Sequence, residues 1–191
     1  MISDHALEAA LILDRLERLA RADEQSGGLN PAQWEALRYL ARANRFSRTP
    51  AALADYLGST RGTVSRTLIA LEDKGFVEKQ PSPTDGRSIH LALTRLAEQA
   101  LERDPVLTLA RDIEAALGAE SGSFAAALRR TLVGAVARNG GRPFGACFDC
   151  RYFRRNARPD ERAPHHCALL NEALSQRDSE AICVEQAPIA A

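Results

Sequence analysis

The chain has 191 residues, in which 25 Lys and Arg are balanced by 25 Asp and Glu. That length buries one full core, or one core plus a small module, and the balanced charge excludes a strongly basic arm while leaving room for a local basic face. No apolar run reaches bilayer-crossing length, and Met1-Ile2-Ser3-Asp4-His5 lacks a basic stretch followed by an apolar one, so the chain reads as cytoplasmic, without signal peptide or membrane span.

The first predicted element runs from about Asp4 to Ala22, with Leu7, Leu11, Ile12, Leu16 and Leu19 at helical spacing. Gly27-Gly28 ends it. Asn30-Pro31 is an N-cap followed by proline at the first helical position, and it opens a helix holding Trp34, Leu37 and Leu40. Thr49-Pro50 repeats that signal before a short helix with Leu53 and Leu57. Gly58 closes it, and Ser59 or Thr60 caps the next helix, where Val64, Leu68 and Leu71 share one face.

Gly75 ends that helix and Phe76-Val77 begins a strand. Pro81-Ser82-Pro83-Thr84-Asp85-Gly86 is a turn by composition. Ile89, Leu91 and Leu93 then alternate with His90 and Ala92, a period-two strand. From Thr94 the chain is helical again. Asp104-Pro105 is a cap or a kink, Val106, Leu109, Ile113 and Leu117 form a stripe, and a last long helix carries Phe124, Leu128, Leu132 and Val136 before Asn139-Gly140-Gly141. These flanking helices carry more apolar surface than a small domain covers. Either a second copy covers it or the chain closes on itself, and periodicity does not separate the two.

The segment Thr49 to Thr94 resembles the winged helix–turn–helix of MarR-type transcriptional regulators. The resemblance is carried by Leu53-Ala54-Asp55-Tyr56-Leu57-Gly58, by Thr60-Arg61-Gly62-Thr63-Val64-Ser65-Arg66 and by Leu71-Glu72-Asp73-Lys74-Gly75-Phe76-Val77. Asp85-Gly86-Arg87-Ser88, followed by Leu93-Thr94, resembles the wing, although the family often has arginine where Gly86 stands. With its flanking helices the likeness covers roughly residues 1–140. It implies a mainly α chain with a small β-hairpin wing (α+β), sequence-specific binding of double-stranded DNA, no enzyme activity, and a homodimer held by the N- and C-terminal helices. It also implies room for a small-molecule effector between these regions, although no residue set identifies one.

The residue chemistry agrees. A recognition helix buries one face and offers short polar and basic side chains from its first turns. Val64, Leu68 and Leu71 supply the buried face, and Arg61, Thr63, Ser65 and Arg66 the donors and acceptors for bases and phosphates. Arg87, on the wing, suits a minor groove. Lys74 and Lys79 read as phosphate contacts or plain surface, and Asp55, Glu72 and Asp73 are expected to face away from DNA. Any one of these arginines alone would read as a solvated charge; the order of elements is what selects them.

Beyond Gly140–Phe144 the pattern changes, and residues 141–191 read as a separate cysteine-rich module. All the cysteines fall there, as Cys147, Cys150, Cys167 and Cys183 in the spacing C-x2-C-x16-C-x15-C. Reduced cytoplasmic thiols in such a group indicate metal or redox chemistry more than structural disulfides. Four thiolates suit a [4Fe–4S] cluster or zinc. One short pair with two long single spacings favours the cluster over zinc, because structural zinc sites commonly combine two short pairs; the spacing is similar to that of high-potential iron–sulfur proteins. Unmetallated thiols and a redox disulfide, Cys147–Cys150 first, stay open as alternatives. Arg151, Arg154, Arg155 and Arg158 are placed to offset thiolate charge, or are solvated. His165 and His166 read as surface residues or as support behind the ligands, since four cysteines complete a site. Phe144, Phe148, Tyr152 and Phe153 are expected to form the module's small core.

Three functions follow in order. The first is a DNA-binding regulator whose cluster senses redox or iron state. The second is the same regulator with a structural zinc module or a protein-docking tail. The weakest is an iron–sulfur electron carrier or enzyme, for which no acid–base pair, phosphate loop or His-Glu-x-x-His pattern is present.

Overall fold

The computed structural model describes residues 2–24, 28–81, 89–142, 144–158 and 161–189. Helix α1 spans Asp4–Glu24, α2 Pro31–Arg42, α3 Pro50–Leu57 and α4 Arg61–Asp73. Strands β1 (Val77–Pro81) and β2 (Ile89–Leu93) follow, then α5 (Arg95–Leu101), α6 (Val106–Leu117) and α7 (Ser121–Arg138). The C-terminal part holds β3 (Phe153–Arg154), β4 (His165–Cys167), β5 (Glu172–Leu174) and α8 (Gln176–Glu180).

Local chemistry places each start. Asn30 caps α2 by accepting from Gln33 N, and the Gln33 side chain returns a bond to Asn30 N, a reciprocal capping box. Thr49 caps α3, Thr60 caps α4 and Thr94 caps α5 in the same one-sided way. Gly58 stands at φ 58 in the left-handed region that lets α3 stop and α4 start within a few residues.

The core lies between α2, α3, α4 and the hairpin. Leu37, Leu40, Leu53 and Leu71 are fully buried there, with Val64, Leu68, Val77 and Leu91. β1 and β2 pair antiparallel, Val77 opposite Leu93 and Lys79 opposite Leu91. The stripe expected on α4 is the buried one, and Leu91 is the inward residue of β2.

The long helices behave differently. α6 and α7 have no buried residue among those described, and Leu7, Leu11 and Leu19 of α1 are more than half exposed. The apolar surface of the flanking helices therefore does not close on the chain's own core. Asp104 is both a cap and an anchor. It accepts from Val106 N at 2.9 Å and pairs with the Arg38 guanidinium through two short bonds, with only 5% of its surface exposed.

The C-terminal part is docked on the helical core. Ile182 bridges in parallel with Ala43, and Ile182 and Val184 pack against the core cluster. β3, β4 and β5 form a small antiparallel sheet in that order. Arg45 holds the two parts together, donating to Asp178 Oδ2 at 2.8 Å and to the Ala173 carbonyl at 2.6 Å. No helix among the described residues is long and apolar enough to cross a membrane.

Candidate nucleic-acid interface and cysteine centre

Helix α4 presents its polar face outward. Arg61, Thr63, Ser65 and Arg66 are all exposed, on the side opposite Val64 and Leu68. Thr60 Oγ1 and Thr63 Oγ1 lie 2.9 Å apart, so Thr63 shares its hydroxyl with the cap. Arg61, Ser65 and Arg66 have no side-chain partner among the described residues, which leaves two guanidinium groups and a hydroxyl available on the first two turns. Arg87, with the Asp85–Ser88 turn, lies outside the described residues.

The two lysines of this region are already engaged. Lys74 Nζ donates to the Gly28 carbonyl at 2.8 Å and to Gln33 Oε1 at 3.0 Å, tying the end of α4 to the start of α2. Lys79 pairs with Glu72 across the helix-to-strand passage. Asp55, Glu72 and Asp73 are exposed.

Residues 27–88 match the model of the MarR family. The core is a MarR-like winged helix. The solved repressor MarR of multiple antibiotic resistance superposes with a TM-score of 0.53 at 23% identity, over 69% of this chain and 96% of that one. The Staphylococcus aureus MepR–DNA complex superposes at 0.54 with 18% identity, over 70% and 96% of the two chains. In sequence, an HTH-type transcriptional regulator of Mycobacterium leprae is 31% identical over 90 residues, 47% of this chain and 62% of the relative. The transcriptional repressor MprA of Escherichia coli K12 is 34% identical over 74 residues, 39% of this chain and 42% of that protein. The chain spans about three fifths of the length of the first curated relatives it matches. The MarR-like likeness ends before the cysteines begin.

The four cysteines are free thiols, each on a segment tied by backbone hydrogen bonds. Cys150 N donates to the Cys147 carbonyl in a single tight turn. Cys167 pairs with Phe153 in the small sheet, and Cys183 bridges Gly145, its N–H donating to the Gly145 carbonyl at 3.0 Å. A Cβ at Gly145 would come within 3.2 Å of the Gln186 side chain, which would have to shift by a few tenths of an ångström.

Cys147 and Cys183 are buried, while Cys150 and Cys167 are half-buried. Burial pushes the Cys147 thiol up to about 12, and the charges of Cys183, Cys150 and Cys167 push the same way. Burial also raises Cys183, against the opposing pull of the Asn44 side chain and the backbone at Glu185. Each buried thiol thus lies within electrostatic range of the other three. Yet among the described residues no three His, Cys, Asp or Glu side chains stand as a ligand group for a metal ion.

His165 is excluded as a ligand by its own bonds. Its Nδ1 accepts from Asn156 N at 3.1 Å, and its Nε2 lies 2.9 Å from Gln176 Oε1, so both ring nitrogens are occupied. His166 Nε2 pairs with Asn171. The aromatic core of the module is a ladder of Phe148, Phe153 and His165. Phe144 departs from expectation: it stacks edge-on at 5.1 Å against Tyr56 of α3 and so serves the docking. The arginines do not face the thiols as a group. Arg155 covers Phe148, Arg151 covers Tyr152, Arg154 donates to the carbonyls of Arg151 and Phe153, and Arg158 pairs with Glu161.

Sequence reasoning missed the seam. Asn44 and Ser47, between α2 and α3, are buried polar residues against Cys183 and its neighbours. Their only sequence signal is that two small polar residues follow the end of α2, which also marks any ordinary loop.

Proposed function

We propose that the protein is a cytoplasmic, dimeric, sequence-specific DNA-binding transcriptional regulator carrying a [4Fe–4S] cluster on Cys147, Cys150, Cys167 and Cys183. Arg61, Thr63, Ser65 and Arg66, exposed on the capped helix α4, carry the DNA reading. Arginine binds guanine or phosphate, and serine either edge. Arg87 would add a wing contact. The uncovered apolar faces of α1, α6 and α7 support the homodimer, which places two recognition helices at a fixed half-site spacing.

The spacing of four free thiols, two of them buried, supports the cluster. A single zinc with bonds of about 2.3 Å would gather its four thiolates tightly. A four-iron cluster gives each thiolate its own iron and holds them further apart. One short pair with two long single spacings in the sequence favours the second arrangement. When bound, the cluster supplies a redox-sensitive cross-link among the four cysteines. The chain's own residues do the rest: the Phe148–Phe153–His165 ladder forms the module's aromatic core, and Arg45 with Ile182 and Val184 holds the module on α2 and the loop after it. Losing the cross-link would loosen the module and change the placement of α3 and α4. A small-molecule effector would find its place in the cleft of about 340 Å³ lined by Arg38, Tyr39, Arg42 and Tyr56.

The test replaces Cys147 and Cys167 with Ser and measures affinity for a DNA duplex selected from a random library by the wild type. Affinity that is unchanged under oxidising and reducing conditions would remove the sensing role.

A further inference from the structure

A second cleft, of about 380 Å³, runs along the seam between the helical core and the C-terminal module. That size is ordinary for a small-molecule site. It follows the backbone pairing of the α2 end with Ile182, where Ile182 N donates to the Arg42 carbonyl at 2.7 Å and Asn44 N to the Ile182 carbonyl at 2.9 Å. Its charged lining is Arg42, Arg45 and Arg48 from the core side, and Arg177, Asp178 and Glu180 of α8 from the module side. Four guanidinium groups thus meet two carboxylates, an excess of two positive charges.

The carboxylates are already committed. Asp178 Oδ2 accepts from Arg45 Nη1 at 2.8 Å, and from Ser175 N at 3.1 Å and Ser175 Oγ at 2.8 Å in the cap of α8. Glu180 Oε1 accepts from Gln176 Nε2 within the same helix. The cations are not committed. Arg42 and Arg177 make no side-chain hydrogen bond or ion pair among the described residues, and Arg48 uses only its Nε, on the Ala43 carbonyl at 3.2 Å. Arg48 is half-buried. Burial first, and the Arg177 charge next, hold its guanidinium below the usual arginine range, with Asp178 pulling the other way. Half-buried like charges on facing walls are unfavourable until an anion lies between them. A carboxylate offers two oxygens, which one guanidinium fork fills. Two forks on opposite walls match an anion with more oxygens and more charge, and a phosphate group has both.

We propose that this cleft binds a phosphate group between Arg48 of the core and Arg177 of the module, with Arg42 beside them. The bound group ties the module to the α2–α3 corner. That corner also reaches the DNA-binding unit, since the Arg48 carbonyl accepts from Leu91 N of β2 at 2.7 Å and Thr49 caps α3. The phosphate therefore has two sources, the backbone of bound DNA and free phosphate. The site is independent of what the cysteines hold.

The test uses the full chain in two arms. Arg177→Gln is the main variant, because Arg177 is exposed and holds no side-chain bond whose loss would unfold the chain. Arg158→Gln removes the same charge from a residue that does not line the cleft. In the first arm, inorganic phosphate replaces chloride at constant ionic strength and thermal unfolding is followed. If the source is free phosphate, the wild-type midpoint rises saturably. Arg177→Gln should then weaken the phosphate affinity by about tenfold or more, the scale of a lost bond to a charged group, and Arg158→Gln should leave it unchanged. In the second arm, anisotropy with the selected duplex is measured across a salt series. If the phosphate belongs to DNA, free phosphate gives no saturable rise. Arg177→Gln should then lower the slope of log affinity against log salt by about 0.9, one backbone contact, and Arg158→Gln should not. Arg48→Lys, which keeps the charge without the fork, should show a smaller loss in the same arm. An Arg177→Gln protein that matches the wild type in both arms, or an Arg158→Gln protein that shows the same loss, overturns the site. A chain that binds no duplex but shows the phosphate effect removes the regulator reading and leaves this one standing.

Discussion

Val184 donates its backbone N–H to Ser47 Oγ at 2.9 Å, joining positions 137 residues apart in the sequence. Ser47 is fully buried and donates in turn to Asn44 Oδ1. The one hydroxyl thus links the cysteine segment to the corner before α3. The Tyr39 hydroxyl adds to this by donating to the Ser47 carbonyl at 2.7 Å. Ser47→Ala leaves the part-buried Val184 N–H without its acceptor and removes the buried donor to Asn44 Oδ1, a cost of about 1–3 kcal/mol. Urea unfolding followed by circular dichroism should show that loss.

Arg61→Ala and Arg66→Ala should each weaken DNA binding at unchanged stability. A bidentate base contact contributes about 1–3 kcal/mol, so about tenfold to a hundredfold is expected for a base reader. A phosphate contact would instead lower the salt dependence without changing sequence preference. Fluorescence anisotropy across a salt series distinguishes the two. Lys74→Ala should do the opposite, costing about 1 kcal/mol of stability by freeing the start of α2, with little effect on DNA.

The contrast between Arg61 and Lys74 shows how legible the chain was. The caps at Asn30 and Thr49 and the α4 stripe depend on residues a few positions apart, so spacing alone revealed them, and it narrowed the α4 cap to Ser59 or Thr60, of which Thr60 is the one. Lys74 reads as a surface charge because its acceptor, the Gly28 carbonyl, is a backbone atom with no sequence signature. The same holds for the Ala43–Ile182 bridge that docks the module. Asp104 was legible as a cap, but its pairing with Arg38 crosses 66 positions and needed the fold. The four cysteines were legible as a group, and their spacing on the page of the sequence said nothing of the corner that one of them touches.

Asp104→Asn should destabilise the fold by about 3 kcal/mol, the scale for breaking a pair whose carboxylate is buried. It removes the buried carboxylate that takes two short bonds from the Arg38 guanidinium. The amide can still cap Val106, so the loss reports mainly on the ion pair. Thermal unfolding of Asp104→Asn against the wild type measures it.

Leu132→Glu should dissociate the dimer. Leu132 on α7 is 61% exposed and Val133 49% in the single chain. A carboxylate buried in an apolar interface without a partner carries a penalty of several kcal/mol. Sedimentation velocity should find the wild type as a dimer and the variant as a monomer at the same concentration, with operator affinity falling in parallel.

The most direct measurement of the central claim is metal and sulfide analysis of the full chain purified without oxygen, together with its visible absorption and its affinity for the selected duplex. The account predicts a brown protein with four irons and four sulfides per chain, which binds the duplex and loses both colour and affinity on oxidation. A colourless protein holding one zinc per chain, with affinity unchanged by oxidant, would contradict it.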